Sequence, residues 1–178
     1  TYTSQYTSIK TRQRRNHGVA GVVDAVQFYD GLGRLVQTKT KAIAANQYVV
    51  SDQTQYNSRG LPEKKYVSRF TSNNFTVMDP IVPTEPKVRI EYDAMGRVLK
   101  TINPDGSYSN TIYDDWNVVQ RDERGAQKEF AHDAYGRVYR VREYTGYDGR
   151  SSLYPAANYA VHAATMYAYD KEGNLTMV

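Results

Sequence analysis

The sequence has 178 residues, which is enough for one domain or slightly more, and it contains no cysteine. The lack of cysteine excludes disulfides, thiolate metal sites and a cysteine nucleophile. With 40% hydrophobic residues, a mean hydropathy of −0.70 and a net charge of +4, the chain is lean for a two-layer core but is not typical of disorder. Its 17 tyrosines resolve this conflict, because a tyrosine ring buries apolar area while its hydroxyl stays hydrated.

The first part of the chain, residues 1–27, precedes the repeats and is interpreted as a strand or linker. It carries a cluster of basic residues, Lys10, Arg12, Arg14 and Arg15. A nucleic-acid site would need a second basic face, and none is evident, so no nucleic-acid partner is predicted. No run approaches the roughly 18 apolar residues of a membrane span. Because the chain begins at Thr1 and the repeats run almost to Val178, we expect a fragment of a larger protein.

A seven-residue motif recurs through residues 28–178. Its clearest copy is Tyr-Asp-Ala-Met-Gly-Arg-Val at 92–98, and the copy at 29–35 follows the same pattern. Other copies begin at 56, 113, 132 and 169, with Asn for Asp, Asn for Gly, His for Tyr and Asn for Arg, respectively. The residues to which we assign a structural role in the repeats are Tyr29, Asp30, Gly33, Arg34, Tyr56, Gly60, Tyr92, Asp93, Gly96, Arg97, Asp105, Gly106, Tyr113, Asp114, Asn117, Gly125, His132, Asp133, Gly136, Arg137, Tyr169, Asp170 and Gly173.

The fifth motif position predicts a turn residue with positive φ, because Gly and Asn both tolerate that conformation. Asp or Asn at the second position can accept a hydrogen bond from the backbone two residues on and close the turn. A second kind of turn lies between copies, at 103–106 and 122–125. The turn residues then follow one another at 8 to 11 residues, which predicts an all-β fold of antiparallel hairpins.

The strands between the turns mix β-branched, aromatic and charged side chains, as at 137–144. Such strands have no fully apolar face and favour a curved single-layer sheet over a sandwich. The segment 155–164 could be a helix or a long hairpin arm. An irregular insertion near 70–88 carries three prolines and is interpreted as a packing or functional loop.

The pattern Tyr-Asp-x-x-Gly-Arg-Leu/Val, followed by Asn-Pro-Asp-Gly and another Tyr-Asp, resembles the RHS/YD-repeat family from about Phe28 to Val178. The first copy and the long spacers are most similar to toxin-complex and SpvB-like members. The resemblance implies a spiralling β-sheet that closes as a hollow shell, which encloses a toxic domain in bacterial members and serves adhesion in the teneurins. Asp79-Pro80 is followed by Ile81-Val82 and lacks the family's self-cleavage signature, so self-cleavage is not implied here.

Residue patterns that suggest chemistry have structural interpretations here. His132-Asp133 falls on the Tyr-Asp position of the repeat, so it is interpreted as a drifted motif rather than a catalytic dyad. Asp114-Asp115 and Asp122-Glu123 are interpreted as turn acids rather than a metal site. The motif tyrosines are interpreted as a cross-strand ladder in which each ring stacks on its equivalent. Exposed aromatics such as Trp116 leave carbohydrate binding as an alternative.

The sequence therefore predicts a structural YD-repeat module that builds a shell around a toxin or effector, with cell-surface adhesion or carbohydrate binding as the alternative. No enzyme activity, catalytic residue, metal or cofactor is expected. The expected partners are flanking repeats of the same polypeptide, an enclosed toxin domain, and other copies through open sheet edges. The expected location is secreted or at the cell surface.

Overall fold

The computed structural model describes residues 6–14, 22–150 and 152–178. Within these ranges the chain forms antiparallel β-strands and no helix, which confirms the predicted all-β fold of hairpins. The strands are β1 (Thr7–Arg14), β2 (Val22–Tyr29), β3 (Leu35–Lys41), β4 (Tyr48–Ser51), β5 (Thr54–Tyr56), β6 (Pro62–Tyr66), β7 (Arg69–Thr71), β8 (Lys87–Tyr92), β9 (Val98–Ile102), β10 (Tyr108–Asp114), β11 (Asn117–Arg121), β12 (Gln127–His132), β13 (Val138–Tyr147), β14 (Ala157–Met166), β15 (Ala168–Tyr169) and β16 (Leu175–Met177).

The chain divides into two compact units, of which the first is Thr1–Arg89. Its main sheet has the order β1-β2-β3-β4-β7, and beside it the hairpin β5–β6 pairs with the start of β8. The basic residues of β1 are exposed, and Arg15 lies outside the described residues. The division expected between residues 27 and 28 falls within β2 and remains a prediction about where the repeats begin.

The second unit is Ile90–Val178. Strands β8 to β14 follow one another as an antiparallel meander, and β15 and β16 form a separate hairpin. Of the two interpretations of 155–164, the hairpin arm is correct, because β14 pairs along β13 from Ala157 to Met166. Buried apolar side chains among the described residues of this unit are Ile102 and Ala131, so the sheet is a single layer whose strands are mostly half-buried.

Seven turns share one pattern of backbone hydrogen bonds. In each, the first residue donates its N–H to the carbonyl of the residue four positions on and accepts from the N–H of the glycine three positions on, at 30–34, 57–61, 93–97, 103–107, 122–126, 133–137 and 170–174. These glycines have φ between 76° and 89°. The geometry is that of a three-residue hairpin loop that ends in a glycine bulge.

The prediction for Asn117 is wrong. Asn117 is the first residue of β11 and pairs with Asp114, and the residue with positive φ in this turn is Asp115, at 49°. Two residues separate the paired strand ends Asp114 and Asn117, whereas three separate the ends of the other turns. The loop is therefore tighter, and its residue with positive φ lies earlier. Asp tolerates this conformation for the same reason as Asn.

The insertion near 70–88 packs onto the sheet of the first unit. Phe75 joins Val26 and Phe28 of β2 in a buried cluster, with Tyr48 and Met78 at its border. The Phe75 ring stacks on Tyr48, with centres 4.9 Å apart. The insertion is therefore a packing loop that covers one face of β2, β3 and β4.

Candidate functional site

The Tyr-Asp turns are closed by the side chain at the second motif position, as predicted. The Asp30 carboxylate accepts from the N–H of Leu32 at 2.9 Å and of Arg34 at 3.0 Å. Asp133 accepts in the same way from Tyr135 and Arg137, both at 2.9 Å. One oxygen thus satisfies two backbone donors that the turn leaves without a strand partner.

The second oxygen of the same carboxylates pairs with the arginine at the sixth motif position. The Arg Nε to Asp Oδ2 distances are 2.7 Å for Arg34 and Asp30, 2.6 Å for Arg97 and Asp93, and 2.8 Å for Arg137 and Asp133. Partial burial raises the pKa of these aspartates, but the hydrogen bonds from the arginine side chain and the turn backbone outweigh it and lower the pKa overall.

Each of these arginines also lies on a tyrosine that opens the next motif along the chain. The guanidinium carbon is 4.2 Å from the ring centre for Arg34 on Tyr56, 3.9 Å for Arg97 on Tyr113 and 4.7 Å for Arg137 on Tyr169. The tyrosine hydroxyl then donates to the carbonyl of the residue after the arginine, at 2.8, 3.4 and 2.8 Å. The three sets are called Asp-Arg-Tyr clamps below: Asp30–Arg34–Tyr56, Asp93–Arg97–Tyr113 and Asp133–Arg137–Tyr169.

The clamps show that the six motifs work as three pairs. The first motif of a pair supplies Asp and Arg, and the second supplies Tyr. This division explains the degeneracy in the sequence, because the second motifs have Leu61, Val118 and Asn174 at the arginine position. His132 stands in a first motif, which contributes its Asp and Arg to the clamp rather than its opening residue.

The predicted tyrosine ladder is therefore wrong for Tyr56, Tyr113 and Tyr169, whose rings lie under guanidinium groups. Ring pairs in the described part of the chain join Tyr48 to Phe75, Tyr144 to Tyr159 and Tyr147 to Tyr154. A planar cation over an aromatic face contributes roughly 0.5–1 kcal/mol at exposed sites. The constant offset of four residues between Asp and Arg was the signal in the sequence that could have revealed the ion pair of each clamp, but it does not indicate the contact with tyrosine.

Replacing Arg34 with lysine is expected to lower the free energy of unfolding by about 1 kcal/mol. Lysine keeps the charge but loses both the planar stack on Tyr56 and the fork that grips Asp30. Urea unfolding measures the change. The same substitution at Arg89, which is exposed on β8, should change stability by less than about 0.5 kcal/mol, and equal losses at both positions would contradict the clamp.

A buried polar anchor fixes the packing loop to the sheet of the first unit. The backbone of Asp79 is held by Gln37 of β3, which accepts from the Asp79 N–H at 2.8 Å and donates to its carbonyl at 3.4 Å. Gln53 donates to the same carbonyl at 3.3 Å. Gln37, Gln53 and Asp79 are at most 3% exposed, so these bonds form without competition from water.

The Asp79 carboxylate also meets fixed positive charge. It forms an ion pair with Lys39, which is fully buried, and accepts from Arg69 and Asn73, each at 3.3 Å. Lys39 in turn donates to the carbonyl of Val77 at 2.7 Å. Burial raises the Asp79 pKa, but Lys39 and the surrounding donors outweigh it and lower the pKa overall. Each charge in the anchor is thus compensated only while the loop is docked.

A second buried carboxylate belongs to the same sheet. Asp24 of β2 is 1% exposed and is gripped by Arg12 of β1 at 2.7 Å and Lys41 of β3 at 2.9 Å. The hydrogen bond from Arg12, followed by that from Lys41, holds the Asp24 pKa far below its usual value. Asp24 therefore joins three adjacent strands through one charged side chain.

Acid is expected to weaken the first unit through Asp24. Because the folded-state pKa is depressed, the stabilisation is fully present above the unfolded-state pKa of about 3.9 and is lost as the pH falls below it. Urea midpoints measured from pH 7 down to pH 2 should fall steeply below about pH 4 in the natural chain. Asp24→Asn should be less stable at neutral pH and should show a shallower acid slope; an unchanged slope would contradict the assignment.

Within the described ranges, the residues that suggested chemistry do not come together in one site. His132 Nδ1 lies 3.2 Å from the carbonyl of Trp116, at the end of β12. Across residues 6–14, 22–150 and 152–178, no three His, Asp or Glu side chains meet as a metal site. A cleft of about 690 Å³ in the second unit is lined by strands β10 to β14 and holds the exposed ion pair of Lys128 and Glu143, 2.7 Å apart.

No helix in the described part of the chain is long and apolar enough to cross a membrane.

No protein-family model matches the chain, and no curated protein matches it in sequence. Solved structures do match its fold. A chain of the TcdB2-TccC3-TEV crystal structure aligns with 96% of this chain at a TM-score of 0.76 and 20% identity. A chain of the Tc holotoxin pore of Photorhabdus luminescens, with a mutated TccC3, aligns with 96% at 0.75 and 18% identity. For TcdB2-TccC3-Cdc42 the values are 96%, 0.72 and 20%.

This chain shares the fold of a segment of Tc toxin proteins. The alignments cover 10% of the matched chain in the first structure and 9% in the other two. The sequence thus spans about a tenth of the length of the Tc toxin chains that it resembles.

Proposed function

We propose that this chain is a structural YD-repeat module of a β-shell that encloses a toxin or effector domain. The observation that carries the proposal is the set of three Asp-Arg-Tyr clamps, each of which ties one hairpin to a later one. The likeness of fold to Tc toxin proteins over 96% of the chain supports it. Membership of the YD-repeat family and a secreted or cell-surface location are parts of this proposal.

The physical role of the module is to extend and stiffen a single-layer sheet. Such a sheet has no second layer to bury its faces, so its stability depends on contacts between neighbouring hairpins. The clamps provide these contacts with side chains that tolerate water on one side. The proposed role is mechanical rather than catalytic, and it uses no cofactor.

The proposal predicts that the two faces of the sheet differ in accessibility to a reagent when the chain is part of the longer shell protein, called the natural polypeptide below. Adjacent residues of a strand point to opposite faces, and Thr111 and Ile112 are adjacent on β10. Since the 178-residue sequence has no cysteine, Thr111→Cys and Ile112→Cys each introduce the one thiol of this segment. A bulky polyethylene-glycol maleimide should label one of them in the natural polypeptide, while a small maleimide labels both.

The 178-residue chain by itself is the control for this experiment, because both thiols should there react with the bulky reagent. Labelling of both positions by the bulky reagent in the natural polypeptide would show that neither face is enclosed. That result would overturn encapsulation without affecting the clamps, which are tested separately by the arginine substitution.

The alternative of adhesion or carbohydrate binding keeps one favourable observation. Trp116 lies at the tip of the β10–β11 turn with 58% of its surface exposed. It is the one tryptophan of the chain, so its fluorescence can be followed directly. A saturable change in its emission on titration with an oligosaccharide would support this alternative, and an unchanged emission across an array of glycans would argue against it.

A further inference from the structure

One face of the second unit carries a row of polar side chains that crosses four strands. Thr111 of β10 lies opposite Gln120 of β11, and Gln120 lies opposite Lys128 of β12. Lys128 in turn lies opposite Glu143 of β13. Residues directly opposite in antiparallel strands share a face, so the four side chains form one line, which runs about 14 Å across strands about 4.8 Å apart. These four residues are called the polar row below.

The polar row lies in a recess of the sheet. All four of its residues line the cleft of about 690 Å³, a volume within the roughly 300–1,000 Å³ of small-molecule sites. Tyr147 lines the same cleft, and its ring packs on that of Tyr154 with centres 5.1 Å apart. A row that only kept the sheet hydrated would need neither the recess nor the aromatic ring at its wall.

The polar row keeps hydrogen-bonding capacity that the fold does not use. Among the described residues, no hydrogen bond takes up the Thr111 hydroxyl or the Gln120 amide, and each of these groups can both donate and accept. The opposite face of the same strands differs, because Glu129 there accepts from Arg140 at 3.2 Å and from the Tyr144 hydroxyl at 2.7 Å. Polar groups on that face satisfy one another, whereas those of the row remain available to a ligand.

The charges of the cleft disfavour an anionic ligand. Its lining has three carboxylates and two permanent cations, and both cations are already engaged. Lys128 pairs with Glu143 at 2.7 Å. Arg121 donates through Nε to Gln127 at 3.0 Å. The cleft therefore suits an uncharged ligand whose own groups both donate and accept hydrogen bonds, and hydroxyl groups do both.

An extended peptide would use this surface poorly. Peptides that bind to sheets pair with an open edge, but every strand of the polar row is paired on both sides. Other peptide sites hold apolar anchors in a groove, and the row offers a threonine, a glutamine and an ion pair instead. The pyranose rings of a linear oligosaccharide repeat at a length close to the strand spacing and present hydroxyl groups to each position of the row.

We propose that the cleft of the second unit binds an uncharged linear oligosaccharide, which lies along the polar row. Thr111 and Gln120 hydrogen-bond to its hydroxyl groups, the exposed pair of Lys128 and Glu143 supplies one strong donor and one strong acceptor, and the Tyr147 ring packs against the C–H face of a sugar. This site is separate from Trp116 and does not depend on the proposed shell.

Titration of the isolated chain with sugars tests this site, because both faces of the sheet are open there. Cellohexaose, chitohexaose and maltohexaose serve as probes, and nitrogen–proton correlation NMR follows the backbone amides. At least one probe should give saturable shifts at the amides of the polar row by millimolar concentration. Gln120→Ala should weaken that binding about fivefold, the effect of one lost hydrogen bond.

A pair of matched variants locates the contact. Thr111→Val removes the hydroxyl without changing the shape of the side chain and should weaken binding. Thr101→Val makes the same change on the same face, opposite Ser109 on β9 and outside the cleft, and should leave the affinity unchanged. Equal effects of the two variants would contradict the site. Far-ultraviolet circular dichroism confirms that each variant is folded.

Three further results would overturn the proposal. The first is the lack of any shift in the polar row with all three sugars. The second is a set of shifts confined to the turn of Trp116, which would support the adhesion alternative in place of this cleft. The third is an equal response of the row to an uncharged peptide of glycine and serine, which would show that the cleft does not select sugars.

Discussion

Replacing Asp79 with alanine is expected to lower the free energy of unfolding of the natural chain by about 3–5 kcal/mol. The substitution leaves Lys39 fully buried without its carboxylate and removes the acceptor for Arg69 and Asn73. A buried ammonium group without a counter-charge must either lose its proton or draw water into the sheet, and both are costly. Urea unfolding gives the magnitude. Undocking of the packing loop should also expose its backbone to limited proteolysis near Pro80.

A matched substitution tests whether burial of the ion pair causes the loss of stability. Glu143→Ala also removes a carboxylate from a lysine, but Lys128 is 57% exposed and remains hydrated, so the loss should be much smaller than that of Asp79→Ala. Adding Lys39→Met to Asp79→Ala removes the uncompensated charge and should recover a large part of the stability. If the double variant is no more stable than Asp79→Ala, the anchor does not depend on the ion pair.

Replacing Gly146 with alanine is expected to destabilise the β13–β14 arm by about 2–4 kcal/mol, the range of overpacking combined with left-handed backbone strain. Gly146 has φ of 97°, and a Cβ there would lie 2.5 Å from the carbonyl oxygen of Asn158 and 2.9 Å from that of Ala157. Both atoms are backbone of the paired strand, so relief requires β14 to move away from β13. Hydrogen exchange along β14 should increase together with the loss of global stability.

Gly31→Ala is the control for this prediction. Gly31 lies in a turn with no atom within 4 Å of a new Cβ and without positive φ. The change should be within about 0.5 kcal/mol, with stabilisation favoured because alanine reduces the freedom of the unfolded chain. A comparable loss at both glycines would show that loss of flexibility, rather than collision with β14, limits the arm.

Several elements could be predicted because their causes are local. A positive φ that Gly accommodates and an Asp side chain that reaches its own turn backbone are properties of five consecutive residues, and the turns at 93–97 and 133–137 formed as expected. The same local reasoning failed at Asn117. The register of β10 and β11 shortened that loop by one residue, and register is set by pairing along the whole strand.

The candidate site could be predicted only in part. The motif positions placed Asp30, Asp93 and Asp133 in turns, as the structure has them, but Asp114 ends β10, and the arginines were given no partner. Tyr56 lies 22 residues after Arg34, and Tyr169 lies 32 after Arg137. These distances along the chain vary with the loops between them, so sequence spacing carries no signal for the contact. The ladder hypothesis assumed that like residues meet, whereas the fold brings the tyrosine of one motif to the arginine of another.

The all-β class, the hairpin turns and the single-layer character of the second unit follow from the amino-acid sequence. Each follows from short-range backbone preference or from the lack of an apolar face. The tertiary structure alone decided that Asp79, Lys39 and Gln37 form one buried anchor, that Asp24 joins three strands, and that six motifs form three clamps. Their energies depend on burial and on contact between residues far apart in the chain, and both exist only once the strands have paired.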